Sequence, residues 1–183
     1  TESGFLQISN NLTLVPGVTV NKGNSQWNFA PGAQSIIRQG VTGSATINNA
    51  GGTIFAGAGG TGSLTIGSGV TLQGFGSLTQ SSTSTITNDG SIIGNTAGQT
   101  FTISPNTFTN NGTLSVPNAA HFGDDRAAPY SAFVNRGTIS ASSMDLNSIY
   151  FENRSNLVSV FDQNLRGTVG KLDGGLSTTG GST

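Results

Sequence analysis

A short segment recurs without gaps at four places in the chain: Thr85-Ile86-Thr87-Asn88-Asp89-Gly90-Ser91-Ile92, Thr107-Phe108-Thr109-Asn110-Asn111-Gly112-Thr113-Leu114, Ala132-Phe133-Val134-Asn135-Arg136-Gly137-Thr138-Ile139 and Tyr150-Phe151-Glu152-Asn153-Arg154-Ser155-Asn156-Leu157. A further copy, Thr46-Ile47-Asn48-Asn49-Ala50-Gly51-Gly52-Thr53-Ile54, fits with one extra Gly. The common pattern is apolar, any, Asn, any, Gly, Ser or Thr, Ile or Leu. Asn88, Asn110, Asn135 and Asn153 are 22, 25 and 18 residues apart, and Asn49 precedes Asn88 by 39, about two such periods. A period near 20 marks a repeat protein, whose units bury their apolar faces by stacking on one another.

Within each copy the flanks alternate. Ile86 points one way and Thr85 and Thr87 the other, which is the pattern of a half-buried strand. Asn and Gly tolerate the left-handed backbone that a sharp corner can require. Each repeat therefore reads as two or three short strands joined by tight corners. Such a unit is one turn of a single-stranded parallel β-helix, a β-solenoid of about 20 residues per turn. At about 4.8 Å per turn, about eight turns would make a rod about 40 Å long. An Asn repeated at one corner can bond its side-chain amide to those above and below, as amides do in cross-β ladders. Asn49, Asn88, Asn110, Asn135 and Asn153 are expected to form this ladder. Ile47, Ile86, Phe108, Phe133 and Phe151, two residues earlier, are expected to form an internal apolar stack.

Composition supports this fold class and excludes others. Gly, Thr, Ser and Asn number 28, 24, 23 and 18 in 183 residues, half the chain, and all four are poor helix formers. Charged residues are only 8%, yet hydrophobic residues are still 33%, which argues against charged disorder. A net charge of −1 without a basic stripe argues against nucleic acid as a partner. No run of apolar residues is long enough for a membrane-spanning helix, so no membrane insertion is expected. There is no Cys and hence no disulfide, and the chain starts at Thr1 without a leader, as a mature or excised piece would.

The solenoid is expected over residues 1–161, with diverged turns over 1–45, regular turns over 46–160 and a loop excursion at 117–131. Residues 162–183 read as a Gly/Ser/Thr-rich linker or tail. Strand-like pieces in the diverged part are Phe5 to Ile8, Leu12 to Val15, Val18 to Val20, Trp27 to Phe29 and Ser35 to Ile37, punctuated by Pro16-Gly17 and Pro31-Gly32. Charge is segregated: 11 of the 15 charged residues lie at or beyond Asp124.

Motifs of the kind that carry chemistry are few. Gly57-Ala58-Gly59-Gly60-Thr61-Gly62 matches the dinucleotide-binding glycine pattern, but Ser63-Leu64-Thr65-Ile66 follows as a strand where a helix is required. Gly59-Gly60-Thr61-Gly62 begins like a calcium-binding nonapeptide, but Leu64 stands where the carboxylate ligand must be. No cofactor and no metal are therefore expected. His121, Asp124, Asp125 and Arg126 form the one cluster that could serve paired-carboxylate chemistry on a polysaccharide. The plainer reading is a solvated surface loop with an Asp–Arg pair. Thr-x-Thr pairs at Thr83/Thr85/Thr87, Thr100/Thr102 and Thr107/Thr109 suggest an ice-binding face, although the column gives way to Ala132 and Val134. Sequons at Asn11, Asn111 and Asn153 are no more than chance supplies in a chain this rich in Asn, Ser and Thr.

Gly69-Val70-Thr71-Leu72-Gln73-Gly74, Thr87-Asn88-Asp89-Gly90-Ser91-Ile92 and Gly98-Gln99-Thr100-Phe101-Thr102-Ile103 resemble segments of large bacterial secreted β-strand-repeat proteins. These include autotransporter passenger domains and filamentous-haemagglutinin-like adhesins. The resemblance spans roughly residues 40–160. It implies a right-handed β-helix, export to the cell exterior or surface, and a structural or adhesive role, and no enzymatic activity is expected. Expected partners are flanking repeats, further copies in head-to-tail fibres, and a glycan or a host or matrix surface. The alternatives are a polysaccharide-binding or polysaccharide-cleaving β-helix and an ice-binding solenoid.

Overall fold

The structure, a computed structural model, describes residues 4–80, 83–116, 121–123, 131–154, 158–172 and 177–178. The described residues contain eighteen strands and no helix, and every strand pairing is parallel. The chain is a β-solenoid whose strands fall into three columns, one per face.

The first column stacks β3 (Thr19–Gly23), the first half of β6 (Ala45–Ala56), the first part of β8 (Val70–Gln80), β10 (Ser91–Ile93), β13 (Thr113–Val116) and the start of β16 (Thr138–Asn153). It continues into β17 (Val158–Leu172) and β18 (Ser177–Thr178). The second column stacks β1 (Phe5–Ile8), β4 (Gln26–Phe29), the second halves of β6 and β8, β11 (Thr100–Ser104) and β14 (His121–Gly123). The third stacks β2 (Leu12–Leu14), β5 (Gly32–Arg38), β7 (Gly62–Ile66), β9 (Thr85–Asn88), β12 (Thr107–Asn110) and β15 (Ala132–Asn135).

Five successive turns separate Thr19, Thr46, Thr71, Ser91, Thr113 and Thr138, with steps of 27, 25, 20, 22 and 25 residues. The turn is thus nearer 25 residues than the expected 20, because three strands and three corners need more chain than two. Strand pairing also crosses the expected tail boundary: β17 pairs with β16 through Leu172, so residue 162 is interior to a strand. Within the expected excursion, His121–Gly123 belong to the stack as β14, while 117–120 and 124–130 lie outside the described residues.

The core follows from the alternation. Ile47, Leu72, Ile92, Leu114 and Ile139 are register partners on the first face and are fully or almost fully buried. Trp27, Ile54, Leu78 and Ile103 fill the second face, and Leu64, Ile86, Phe108 and Phe133 the third. These side chains meet in one continuous cluster along the axis, so that each turn buries its apolar positions against its neighbours.

Candidate functional site

The repeated Asn stands at the corner between the third and first faces, and there it forms a column. Asn88 Nδ2 donates to Asn110 Oδ1, Asn110 Nδ2 to Asn135 Oδ1, and Asn135 Nδ2 to Asn153 Oδ1, each at 2.8 Å. All four residues are fully buried. The second amide proton is also used: Asn88 Nδ2 lies 3.1 Å from the Thr113 carbonyl and Asn110 Nδ2 3.2 Å from that of Thr138. Backbone bonds complete the corner. The amides of Asn111 and Gly112 both donate to the Asn88 carbonyl, and those of Arg136 and Gly137 to the Asn110 carbonyl. The amides of Asp89 and Gly90 make the same pair of bonds to Ile66. Ile66 is the register partner of Asn88 one turn earlier, so Asn88 Oδ1 ends the ladder against an aliphatic side chain and has no partner.

The Gly of the repeat has a different role from the one its corner position suggests. Gly90, Gly112 and Gly137 do not have positive φ. A Cβ on Gly112 would overlap the Gly90 carbonyl oxygen, and one on Gly137 would overlap that of Gly112. Those oxygens accept the Thr113 and Thr138 amides at 2.9 and 2.8 Å. Close approach between turns, and not a left-handed backbone, excludes a side chain here.

Two expected members lie elsewhere. Asn49 sits at the corner between the first and second faces, and its register partners are Gly23 and Gly74. Its Oδ1 accepts from Lys22 Nζ at 2.8 Å, and its Nδ2 donates to the Gly52 carbonyl at 2.8 Å. Ile47 belongs to the first-face stack with Leu72. The residue above Ile86 is Leu64; below it Phe108 and Phe133 follow, their rings tilted with centroids 5.2 Å apart. Phe151 continues that register along the backbone.

Lys22 is buried beneath this first corner. Its ammonium also donates to the Ser25 carbonyl and lies 6.0 Å from the centre of the Trp27 ring. Burial pushes its pKa down to about 8. Nothing in the sequence around a lone Lys pointed to this. A second amide ladder was equally invisible as a pattern: Asn48 Nδ2 donates to Asn21 Oδ1 at 2.8 Å and Gln73 Nε2 to Asn48 Oδ1 at 2.6 Å on the outside of the first face. The steps of 27 and 25 residues are its only trace in the sequence.

Of the expected surface cluster, His121 is in β14, its backbone paired with Thr100, while Asp124, Asp125 and Arg126 lie outside the described residues. Glu152, buried, pairs with Arg154 and accepts from the Tyr150 hydroxyl at 2.9 Å. Among the described residues no three His, Asp or Glu side chains converge as a metal site. On the third face the outward pairs Ser63/Thr65, Thr85/Thr87 and Thr107/Thr109 are in register over three turns before Ala132/Val134 replace them.

A cavity of about 300 Å³ opens on the outer side of the second face near the first corner. Phe5, Asn24, Gln26, Asn28 and Thr53 line it together with Gly4, Gly51 and Gly52. A comparison with known proteins finds no matching family model, no matching curated protein and no matching solved structure.

Proposed function

We propose that this chain is an extracellular structural or adhesive solenoid module of a bacterial surface or secreted protein, without catalytic activity, that extends by adding turns end to end. The observation carrying the reading is the first turn. Among the described residues β1, β2 and β3 are each hydrogen-bonded on one side only, to β4, β5 and β6. Leu6, Val15 and Val18 are exposed there. Open parallel edges beside exposed apolar side chains are a template for another turn, from a flanking repeat or a second copy. The ladder and the continuous core support the mechanical role, since each turn bonds its neighbours through both backbone and side chains. Sedimentation and electron microscopy of the purified chain test this: concentration-dependent rods are expected, and a strictly monomeric particle at high concentration removes end-to-end assembly.

A second reading, ice binding, draws on the three in-register pairs Ser63/Thr65, Thr85/Thr87 and Thr107/Thr109. A thermal-hysteresis assay decides it, and a null result ends it.

A further inference from the structure

The outward positions of the second face combine aromatic rings with amides and hydroxyls. Phe5 and Gln7 lie over Gln26 and Asn28 in the register of β1 on β4. Asn28 lies in turn over Phe55, which is paired with Thr79. Two aromatic rings therefore stand on a bed of amides and hydroxyls, two turns and two residues apart, or about 12 Å between their backbone positions. Phe5 is 70% exposed, and it borders the 300 Å³ cavity together with Gln26, Asn28 and Thr53. Gln26 Nε2 donates to Asn28 Oδ1 at 2.6 Å, which holds both amides in place and leaves Gln26 Oε1 and Asn28 Nδ2 turned to other partners.

Among the described residues no charged side chain lines the cavity. The Lys22 ammonium lies behind the lining residue Gly52 and is bonded inward to Asn49 and Ser25. Phosphate, carboxylate or sulfate would thus find no cationic group among the described lining residues to bond. A neutral group that both donates and accepts, and that offers an apolar face, suits every element present. Amides pair with such groups two bonds at a time, and an exposed ring covers the apolar face. Sugars have both properties in each unit, and two rings set about 12 Å apart would contact separate units of an extended chain.

We propose that this face is a subsite for a neutral, extended oligosaccharide, with Phe5 and Phe55 stacking on sugar faces and Gln26, Asn28 and Thr53 bonding hydroxyls between them. The proposal rests on the adhesive reading and names the ligand class. The test is an amide-resolved NMR titration of the full chain with a β-1,4-linked glucose hexasaccharide and its N-acetylglucosamine counterpart. A galacturonate hexamer serves as the charged control. Shifts confined to β1, β4 and the second half of β6 are expected with a neutral sugar. Phe5→Ala and Phe55→Ala are each expected to weaken binding about tenfold or more, a change of about 1.4 kcal/mol. Asn28→Ala, at an outward position of β4, provides a third variant with the same expected direction. The proposal is overturned by absence of shifts with both neutral sugars, by shifts elsewhere, by equal binding of the charged control, or by binding unchanged in these variants. Adhesion of the intact chain to a glycan surface that survives Phe5→Ala and Phe55→Ala leaves the adhesive reading standing and removes this subsite.

Discussion

The ladder makes an asymmetric prediction, because its first and inner members do not have the same number of partners. Asn110 accepts from Asn88 and donates to Asn135 and to the Thr138 carbonyl. Asn110→Leu keeps the volume roughly constant and leaves Asn88 Nδ2 one acceptor short, with Asn135 Oδ1 lacking its donor. Each orphaned buried group costs about 1–3 kcal/mol, so the substitution is expected to cost about 4 kcal/mol. Asn88→Leu orphans one side-chain group, Asn110 Oδ1, since Asn88 Oδ1 is already unpartnered against Ile66; each substitution also takes one bond from a backbone carbonyl, that of Thr113 or of Thr138. The expected cost of Asn88→Leu is about 2 kcal/mol. Replacing Asn88, Asn110, Asn135 and Asn153 together by Leu removes donors and acceptors in pairs, and the column already accepts aliphatic residues at Ile36 and Ile66. The quadruple variant is therefore expected to lose far less than the sum of four single changes. Urea unfolding followed by circular dichroism gives the midpoints and slopes for all three. Equal destabilisation by Asn88→Leu and Asn110→Leu, or additivity in the quadruple variant, would refute the account of the column as linked amides.

Three further outcomes follow from the same geometry. Ile66→Asn should place a donor over Asn88 Oδ1 and lengthen the ladder by one turn; hydrogen exchange of the Asp89 and Gly90 amides should slow, and faster exchange would count against it. Gly112→Ala is expected to cost about 3 kcal/mol or more by driving a methyl into the Gly90 carbonyl oxygen, whereas Gly98→Ala, with open space around it, should cost far less despite its positive φ. The pKa of Lys22 is lowered by burial from 10.5 to about 8, so between these values the unfolded chain binds more protons than the folded one. Stability should rise with pH across that window, and Lys22→Met should flatten that part of the pH profile; an unchanged profile would remove the burial argument.

Much of this fold was legible in the chain because its rules are local. The apolar-any-Asn-any-Gly segment predicts the four-member column from Asn88 to Asn153 and the alternation of Ile86 with Thr85 and Thr87. Asn49 shows where locality ends. Its surroundings match the repeat, but β6 continues across Gly51 and Gly52 to the second face, whereas β9, β12 and β15 end at their Asn and turn. Which corner a residue occupies depends on the length of chain spent on each face, and the 39 residues from Asn49 to Asn88 do not divide into turns in phase. The aromatic and amide face is non-local for the same reason: Phe5, Gln26, Asn28 and Phe55 become neighbours only through the register of three turns.

The three bonds that link the four amides all run the same way along the axis, each Asn donating to the next up to Asn153. A column of this kind has a direction, and it is indifferent to its own length. A duplicated turn inserted anywhere between Asn88 and Asn153 would arrive with one acceptor for the turn before it and one donor for the turn after. No existing residue would need to change. Single substitutions in the column are costly while whole-turn insertions are chemically silent, so such a chain can lengthen or shorten by duplication more readily than it can drift residue by residue. Reach thereby becomes a heritable quantity counted in turns.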